Sequence, residues 1–448
     1  LHLCGILKAN MDNFFVSSVK GGLRGEITVP GDKSISHRSV MLGAIAQGST
    51  VVNGCLLGAD NLATIKAMKA MGVEVDVDSA ARHVVIHGVG LHGLCQPTDN
   101  VDMGNSGTAM RLLTGLLSGQ AFSSVLVGDA SLMQRPMGRV VNPLREMNAS
   151  IKMAENGTAP LKVKGAQKLH GIEYVLPVAS AQVKSCLLLA GLYADSPITI
   201  IEPAPTRDHT ERMLKTFGCA VTMDNNRVEL IPGNILHAAE IDVPADISSA
   251  AFFMVAASIT PGSELVLNKV GINPTRVGVI NILRAMGADI ELSNQRFFHE
   301  EPVADIVIRY KKLRGINIPQ DQVPLAIDEF PVIFIAAACA EGTTVLRGAR
   351  ELRVKESDRI AAMAEGLQTL GVKSTVLDDG IIIEGGALLG GDVDSHDDHR
   401  VAMAFAVAGC VAKGPVTIMR CENVQTSFPD FVDLGQCVGM DLVRKSNE

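Results

Sequence analysis

Hydrophobic and polar positions along this chain alternate between two helical textures. Six stretches, 36–46, 107–117, 181–194, 248–259, 330–340 and 399–412, are apolar almost all round, the pattern of a helix buried on every side. Between them lie amphipathic segments that end near Gly72, Asn148, Gly218, Gly287 and Gly371 and then run into strand-like alternation. The segments 49–88, 196–233, 263–292 and 343–385 share one order of strand, polar loop, amphipathic helix and strand, with a weaker copy at 143–153. The helix ends are spaced by 76, 70, 69 and 84 residues, so roughly six copies of one unit fill the chain. That unit is a two-helix α/β module. It is too long for a solenoid of single supersecondary units, and six of them group into two globular domains of three.

Composition narrows the function classes. The chain has 448 residues, 47% hydrophobic and 20% charged, which excludes a disordered or collagen-like polymer and exceeds one compact core. A net charge of −8 argues against nucleic acid, so any anionic ligand needs a local basic cluster working against the global charge. The apolar runs 330–340 and 401–412 fall short of the roughly 18 residues of a membrane helix. Nine cysteines without CxxC spacing read as reduced, mostly buried thiols in a cytoplasmic protein, and no metal-ligand spacing occurs. Residues 1–11 lack a basic start and a cleavage site and read as a tag or N-terminal extension.

The side chains that can do chemistry gather at helix starts. At the first, a strand at 25–30 runs into Gly31-Asp32-Lys33-Ser34, with Arg38 one turn beyond. There Gly31 permits an unusual backbone angle, Ser34 or Ser36 can cap, and Lys33, Ser34 and Arg38 make an anion cradle without the GxxxxGK[ST] spacing of a P-loop. The plainer alternative is a capped helix with a solvated basic end. At the second start Asn105 or Ser106 can cap, and Gly107 omits a side chain where a ligand could approach the backbone. The third, Ser180-Ala181-Gln182, has a serine cap and a glutamine unexpected in so apolar a helix unless it meets a polar partner.

Two more starts carry acid. Asp328-Glu329 is expected as capping carboxylate for stability alone, whereas Arg400 sits in a first turn against the helix dipole and so asks for an anionic partner. The segment 353–359 packs five charges into seven residues and, taken alone, reads as a solvated surface with Glu356 and Arg359 on one helix face. Arg135 and Arg207 add cations in loops before helices. Singly each is weak. Together Lys33, Arg38, Arg135, Arg207, Lys355, Arg359 and Arg400 occupy equivalent ends of repeated modules. Two facing three-module domains would aim six helix N-termini into one cleft, a site for a multiply anionic substrate.

Seven segments, PGDKSISHR, NSGTAMR, DASLMQRPMGR, SAQVKS, RVKESDR, DDHRVAMAF and TSFPDF, resemble in order, over about residues 19–430, the 5-enolpyruvylshikimate-3-phosphate synthases. SAQ and DASL…RPMGR are similar to the branch often called class II. The resemblance implies an α/β fold: a two-domain inside-out α/β barrel, each domain of three βαβαββ repeats, joined by two chain crossovers. Residues 12–31 with 246–448 would form a discontinuous domain carrying the Asp328, Glu356 and Arg400 side of the cleft, and 32–245 the shikimate-phosphate side. The implied reaction moves the enolpyruvyl group of phosphoenolpyruvate to the 5-hydroxyl of shikimate 3-phosphate and releases phosphate, with no cofactor, in a monomer.

By motif position Lys33, Ser34, Arg38, Ser180, Ala181, Gln182, Arg207, Asp328 and Lys355 would bind shikimate 3-phosphate, and Lys33, Gly107, Arg135, Gln182, Arg359 and Arg400 phosphoenolpyruvate. Catalysis would fall to Lys33, Asp328 and Glu356: Glu356 for the proton at carbon, Asp328 for the hydroxyl, Lys33 on the phosphate side. Gly107 keeps the glycine whose replacement by alanine crowds the inhibitor glyphosate in this family, so sensitivity is expected. Members often carry a lysine two residues before the phenylalanine of the last motif, where this chain has Thr426. Two rivals are weighed. The sibling UDP-N-acetylglucosamine enolpyruvyltransferases place a catalytic cysteine on a mobile loop, and 118–139 contains none. A non-catalytic phosphometabolite binder would avoid carboxylates such as Asp328 and Glu356 beside its ligand.

Overall fold

The computed structural model describes residues 12–446; residues 1–11, including Cys4 and the expected extension, lie outside them. Helices come in pairs, one thoroughly buried and one amphipathic. The pairs are α1 (Lys33–Ile45) and α2 (Ala59–Ala70), α3 (Gly107–Ser118) and α4 (Gly138–Glu146), α5 (Ala181–Gly191) and α6 (His209–Thr216). Three more follow: α7 (Ile247–Ile259) and α8 (Gly278–Ala285), α9 (Phe330–Ala338) and α10 (Arg359–Thr369), α11 (His399–Gly409) and α12 (Phe431–Cys437). Each amphipathic helix stops at a residue with positive φ: Gly72, Asn148, Gly218, Gly287, Gly371 and also Gly439. The left-handed residue lets the chain turn back while the last carbonyls stay bonded, which is why glycine marks five of the six ends. Gly439 completes the sixth copy.

Each pair carries a small sheet. In the second unit Val101–Asp102 and Ser124–Val127 run parallel, and Leu161–Lys164 and Ser150–Lys152 continue antiparallel, in the order βαβαββ. The third unit repeats this with Glu173–Val175, Ile198–Ile201, Arg227–Leu230 and Val221–Asp224. The first and fourth units exchange leading strands. Glu240–Asp242 pairs with Gln47–Asn53, and Arg24–Ile27 pairs with Glu264–Gly271, both parallel. In the fifth unit the leading strand shrinks to two isolated parallel bridges, Arg314 to Glu341 and Asn317 to Val345. In the sixth the chain's first strand, Asp12–Ser17, lies between Val416–Met419 and Asp441–Ser446.

Buried helices pack on one another and the sheets lie outside them: α3 against α5, and α7 against both α9 and α11. Two hydrophobic cores result. One gathers residues from Ile35 to Val243; the other gathers Phe14 to Val29 and Ala245 to Leu442. Phe428 and Phe431 of the last motif are fully buried in the second core beside Phe14, Phe252 and Phe253. Burial of an aromatic ring of this kind contributes about 2–3 kcal/mol, so the motif's spacing is dictated by packing. Among the described residues no helix is long and apolar enough to cross a membrane.

The starts of the buried helices differ from expectation in instructive ways. Helix α1 begins at Lys33, earlier than its apolar pattern, because Asp32 accepts from the Ile35 N–H at 2.9 Å. Neither Ser34 nor Ser36 caps it; the Ser36 hydroxyl donates to the Asp32 carbonyl at 2.8 Å. Gly31 has no left-handed angle. Its missing side chain matters because a Cβ there would stand 2.0 Å from the Gly54 carbonyl oxygen. Ser106, Ser180, Asp246 and Asp398 cap α3, α5, α7 and α11.

Helices α5 and α6 are locked by a buried ion cluster. Lys184 Nζ donates to Glu202 Oε2 at 2.8 Å and forms an ion pair with Glu211 Oε1 at 2.7 Å, all three side chains being almost wholly buried. Lys184→Met strands two buried carboxylates and is expected to cost about 3–5 kcal/mol. Denaturant unfolding reads this as a lower midpoint, and adding Glu202→Gln and Glu211→Gln restores most of it.

Candidate active site

Because every buried helix starts at the same end of its module, the starts converge between the two lobes. The first lobe contributes Lys33 and Ser34 from α1, Gly107, Thr108 and Arg111 from α3, Arg135 and Arg139 around the start of α4, Gln182 from α5 and Arg207 before α6. The second contributes Asp246 and Ser248 from the start of α7, Arg276 before α8, Asp328 before α9, Glu351, Lys355, Glu356 and Arg359 around the start of α10, and His399 and Arg400 from α11. The cleft between them is lined almost entirely by polar and charged groups.

Two carboxylates organise it. Asp328 takes Arg207 from the opposite lobe, and within its own lobe Lys355 Nζ at 3.3 Å and Arg359 Nη1 at 3.4 Å. Arg400 Nη1 donates to the Asp328 backbone carbonyl at 2.9 Å. Glu356 accepts from Arg359 Nη2 at 2.6 Å and from Arg135 Nη1, across the cleft, at 3.5 Å. Burial alone would raise both carboxyls. For Asp328 the charges of Lys355 and Arg207, and for Glu356 those of Arg359 and Arg135, win and hold each well below the ordinary carboxylate range. Both are therefore ionised here.

The cations outnumber these carboxylates. Arg111 Nη1 donates to Gln182 Oε1 at 2.9 Å, and Gln182 Nε2 donates on to Thr108 Oγ1 at 2.9 Å, which supplies the polar partner the glutamine required. The Nε atoms of Arg111 and Arg135 are buried without partners. Burial, with repulsion from Arg139 and Arg135, pushes the Arg111 guanidinium down to about 10, so it remains charged at neutral pH. Burial likewise pushes His399 down to about 4 and leaves it neutral. Lys33 is paired with Asp60 at the start of α2. A Cβ on Gly107 would meet Arg111 Nη1 at 2.9 Å and Arg135 Nη1 at 3.2 Å.

Thus Lys33, Ser34, Gly107, Arg135, Gln182, Arg207, Asp328, Lys355, Glu356, Arg359 and Arg400 share one cleft. Arg38 stands behind its wall: its guanidinium donates to Ser185 Oγ at 2.7 Å, Thr210 Oγ1 at 2.6 Å and the Ser34 carbonyl at 3.0 Å. Ser180 and Ala181 begin α5 beside Gln182 without lining the cleft. Thr426 does not line it either; its hydroxyl donates to the Asn423 carbonyl at 2.7 Å.

Two readings of isolated segments are corrected. Asp328 and Glu329 do not cap α9: Glu329 holds the cap position without a capping bond, and its carboxylate accepts from the Ser248 hydroxyl instead. The segment 353–359 is no solvated surface, since Arg359 is 1% exposed and also bonds Asp398 at 2.8 Å. Asp358 caps α10, so Glu356 precedes the helix and its pair with Arg359 is not intrahelical. The sequence did not single out Arg111, Arg139 and Arg276. For Arg276 a signal existed: Pro274-Thr275-Arg276 repeats Pro205-Thr206-Arg207 at the 69-residue spacing of the helix ends Gly218 and Gly287.

Comparison with known proteins agrees with this geometry. The sequence model of the family described as EPSP synthase (3-phosphoshikimate 1-carboxyvinyltransferase) matches residues 19–434. A Methylococcus capsulatus protein named 3-phosphoshikimate 1-carboxyvinyltransferase is 60% identical over 96% of this chain and 98% of its own. A Coxiella burnetii protein of the same name is 59% identical over 94% and 96%. The solved structure of EPSP synthase from Acinetobacter baumannii superposes with a TM-score of 0.88 at 54% identity, covering 97% of this chain and all of that one. A family match over nearly the whole chain, a shared two-lobed inside-out α/β fold and a cation-lined cleft between the lobes place this chain in the EPSP synthase family.

Proposed function

We infer that this protein transfers the enolpyruvyl group of phosphoenolpyruvate to the 5-hydroxyl of shikimate 3-phosphate with release of phosphate. One observation carries the reading: two cation–carboxylate pairs, Arg207 with Asp328 and Arg135 with Glu356, span the lobes inside one cleft. Both substrates are phosphorylated carboxylates that repel each other. A cleft that lends cations from two sides can hold them in contact, and the carboxylates between those cations are placed to move protons. A pure anion binder gains nothing from Asp328 and Glu356. The two hydrophobic cores support dividing the chain into 32–245 and 12–31 with 246–448. One chain holds every proposed site residue, which supports a monomer as the working unit, and the free cysteines among the described residues support a reducing compartment, the cytoplasm.

In this reading Arg207, Lys355, Ser34 and Gln182 receive shikimate 3-phosphate, with Arg38, Ser180 and Ala181 behind or beside them. Lys33, Arg135, Arg359, Arg400 and the backbone at Gly107 receive phosphoenolpyruvate, and Gln182 reaches both. Asp328 accepts the proton of the 5-hydroxyl as its oxygen bonds the central carbon of phosphoenolpyruvate, while a proton joins the methylene carbon. Elimination then returns that carbon proton to the enzyme as the carbon–oxygen bond to phosphate breaks, with Lys33 stabilising the departing charge. Glu356 is the carbon acid and base. As found it is ionised, so the donor form must arise on binding: phosphoenolpyruvate draws Arg135 and Arg359 onto its own oxygens, and the carboxyl, still buried, rises toward neutrality.

Five outcomes check this. Inorganic phosphate should appear only when both substrates are present; its absence refutes the reading. Asp328→Asn and Glu356→Gln should each lower kcat by about 10²- to 10⁴-fold, and near-normal turnover in both would remove them from the chemistry. Phosphoenolpyruvate binding to the complex with shikimate 3-phosphate should take up protons at neutral pH. The free carboxyl titrates below that pH and the bound one higher, so calorimetry in buffers of different ionisation enthalpy should give a positive proton number. Arg400→Met should raise the KM for phosphoenolpyruvate more than that for shikimate 3-phosphate, and Gly107→Ala should weaken glyphosate inhibition; equal inhibition of Gly107→Ala and the parent would defeat the steric argument.

A further inference from the structure

The chain passes between the lobes twice, and both crossings use the same local plan. Pro30-Gly31-Asp32 leads into α1 and Pro244-Ala245-Asp246 leads into α7. The two segments bond each other reciprocally: the Asp32 N–H donates to the Pro244 carbonyl at 2.8 Å and the Asp246 N–H to the Pro30 carbonyl at 2.9 Å. Each aspartate then caps its own helix, one in each lobe. The consequence is two buried carboxylates facing each other at the junction.

A single guanidinium lies between them. Arg276, 3% exposed, donates from Nη1 to Asp32 Oδ2 at 3.0 Å and from Nη2 to Asp246 Oδ1 at 3.2 Å. Nη2 also donates to Ser248 Oγ at 2.6 Å. Nη1 stands 3.3 Å from Nε2 of His209, a first-lobe residue whose Nδ1 lies 2.7 Å from Glu301 Oε1 of the second lobe. Burial would raise both aspartates. Arg276 and His209 nevertheless hold Asp32 well down, while repulsion from Asp32 adds to burial in raising Asp246. Removing the guanidinium would leave two like charges pressed together in a buried junction.

We propose that Arg276 is a positioning residue that clamps the two interlobe crossovers, fixing how the lobes meet and thereby where Lys33, the residue after Asp32, stands in the cleft. It reaches from the fourth module to both crossing strands, so lobe movement must strain or keep its bidentate grip. The guanidinium suits this because its two ends reach two acceptors at once, which an ammonium on a flexible stem does not reproduce. The catalytic part of this proposal rests on the enolpyruvyl-transfer reading; the clamp itself does not.

The test separates charge balance from clamping. Arg276→Met alone would fail partly through stranded charge, so it is paired with Arg276→Met/Asp32→Asn/Asp246→Asn, in which asparagine keeps both caps and the two aspartate charges leave with the guanidinium, while Glu329, 3.9 Å from Arg276 Nη2, still has Arg400 at 3.6 Å. The neutralised variant should unfold at close to the parent midpoint. Its amides at 31, 32, 245 and 246 should nevertheless exchange with deuterium about tenfold faster or more, and kcat should fall about tenfold or more. Arg276→Lys, with the charge but without the fork, should restore little of either. Parent-like exchange at both crossovers in the neutralised variant overturns the clamp, and kcat within about twofold of the parent overturns its effect on Lys33. Failure of the parent to release phosphate would instead refute the reaction, with the exchange result still deciding the clamp.

Discussion

Everything in this molecule turns on holding like charges together. Guanidinium groups such as Arg111, Arg135 and Arg139 repel one another, and a chain of net charge −8 has no general reason to gather them. They stay gathered because their backbone is fixed by two hydrophobic cores and because carboxylates are interleaved among them. Asp328, Glu356 and Asp398 are each set against at least one buried arginine. In the reaction proposed above, substrate anions would take over the cations that these carboxylates hold, and the acids would change protonation as they lose those partners.

The exchange of strands between the first and fourth modules gives that cleft two walls from one chain. If Arg24–Ile27 paired within the module that follows it, α1 would belong to the same lobe as its strand. Instead the strand stays in the second lobe and the helix enters the first, and Glu240–Asp242 and α7 do the reverse. The two lobes are thereby tethered at a single junction, and the close approach of Gly31 to the Gly54 carbonyl shows how little room it leaves. The equivalent arginines of successive modules divide the labour. Arg207 crosses to Asp328, Arg276 holds the junction and Arg359 braces Asp398 and both candidate catalytic carboxylates.

Much of this architecture is legible along the chain for a physical reason. Helix period and the left-handed stop residue are local properties, so the six apolar helices and the ends at Gly72, Asn148, Gly218, Gly287 and Gly371 could be placed within a few residues. The repeat made the two-domain count accessible without knowing a single tertiary contact. The caps were less legible, because Asp32, Ser34 and Ser36 are all good cappers and the choice depends on where the preceding strand ends. Local rules failed outright at Asp328-Glu329 and at 353–359. The first read as an ordinary helix cap and the second as solvated surface, and distant partners decide both: Arg207 and Arg135 from the other lobe, Ser248 and Asp398 from the same one.

The sequence by itself determined the modules, their number, the helix starts that bear cations and, through its motifs, the family. Those features depend on neighbours within a few residues or on order along the chain. The tertiary structure alone decided which charges meet. Arg38 turned into the wall because Ser185 and Thr210, far along the chain, were there to accept it. Arg276 became the centre of the junction because two separate crossings brought Asp32 and Asp246 to its two ends. The sign of a charge is written in the sequence; its partner depends on distance in space, which folding alone sets.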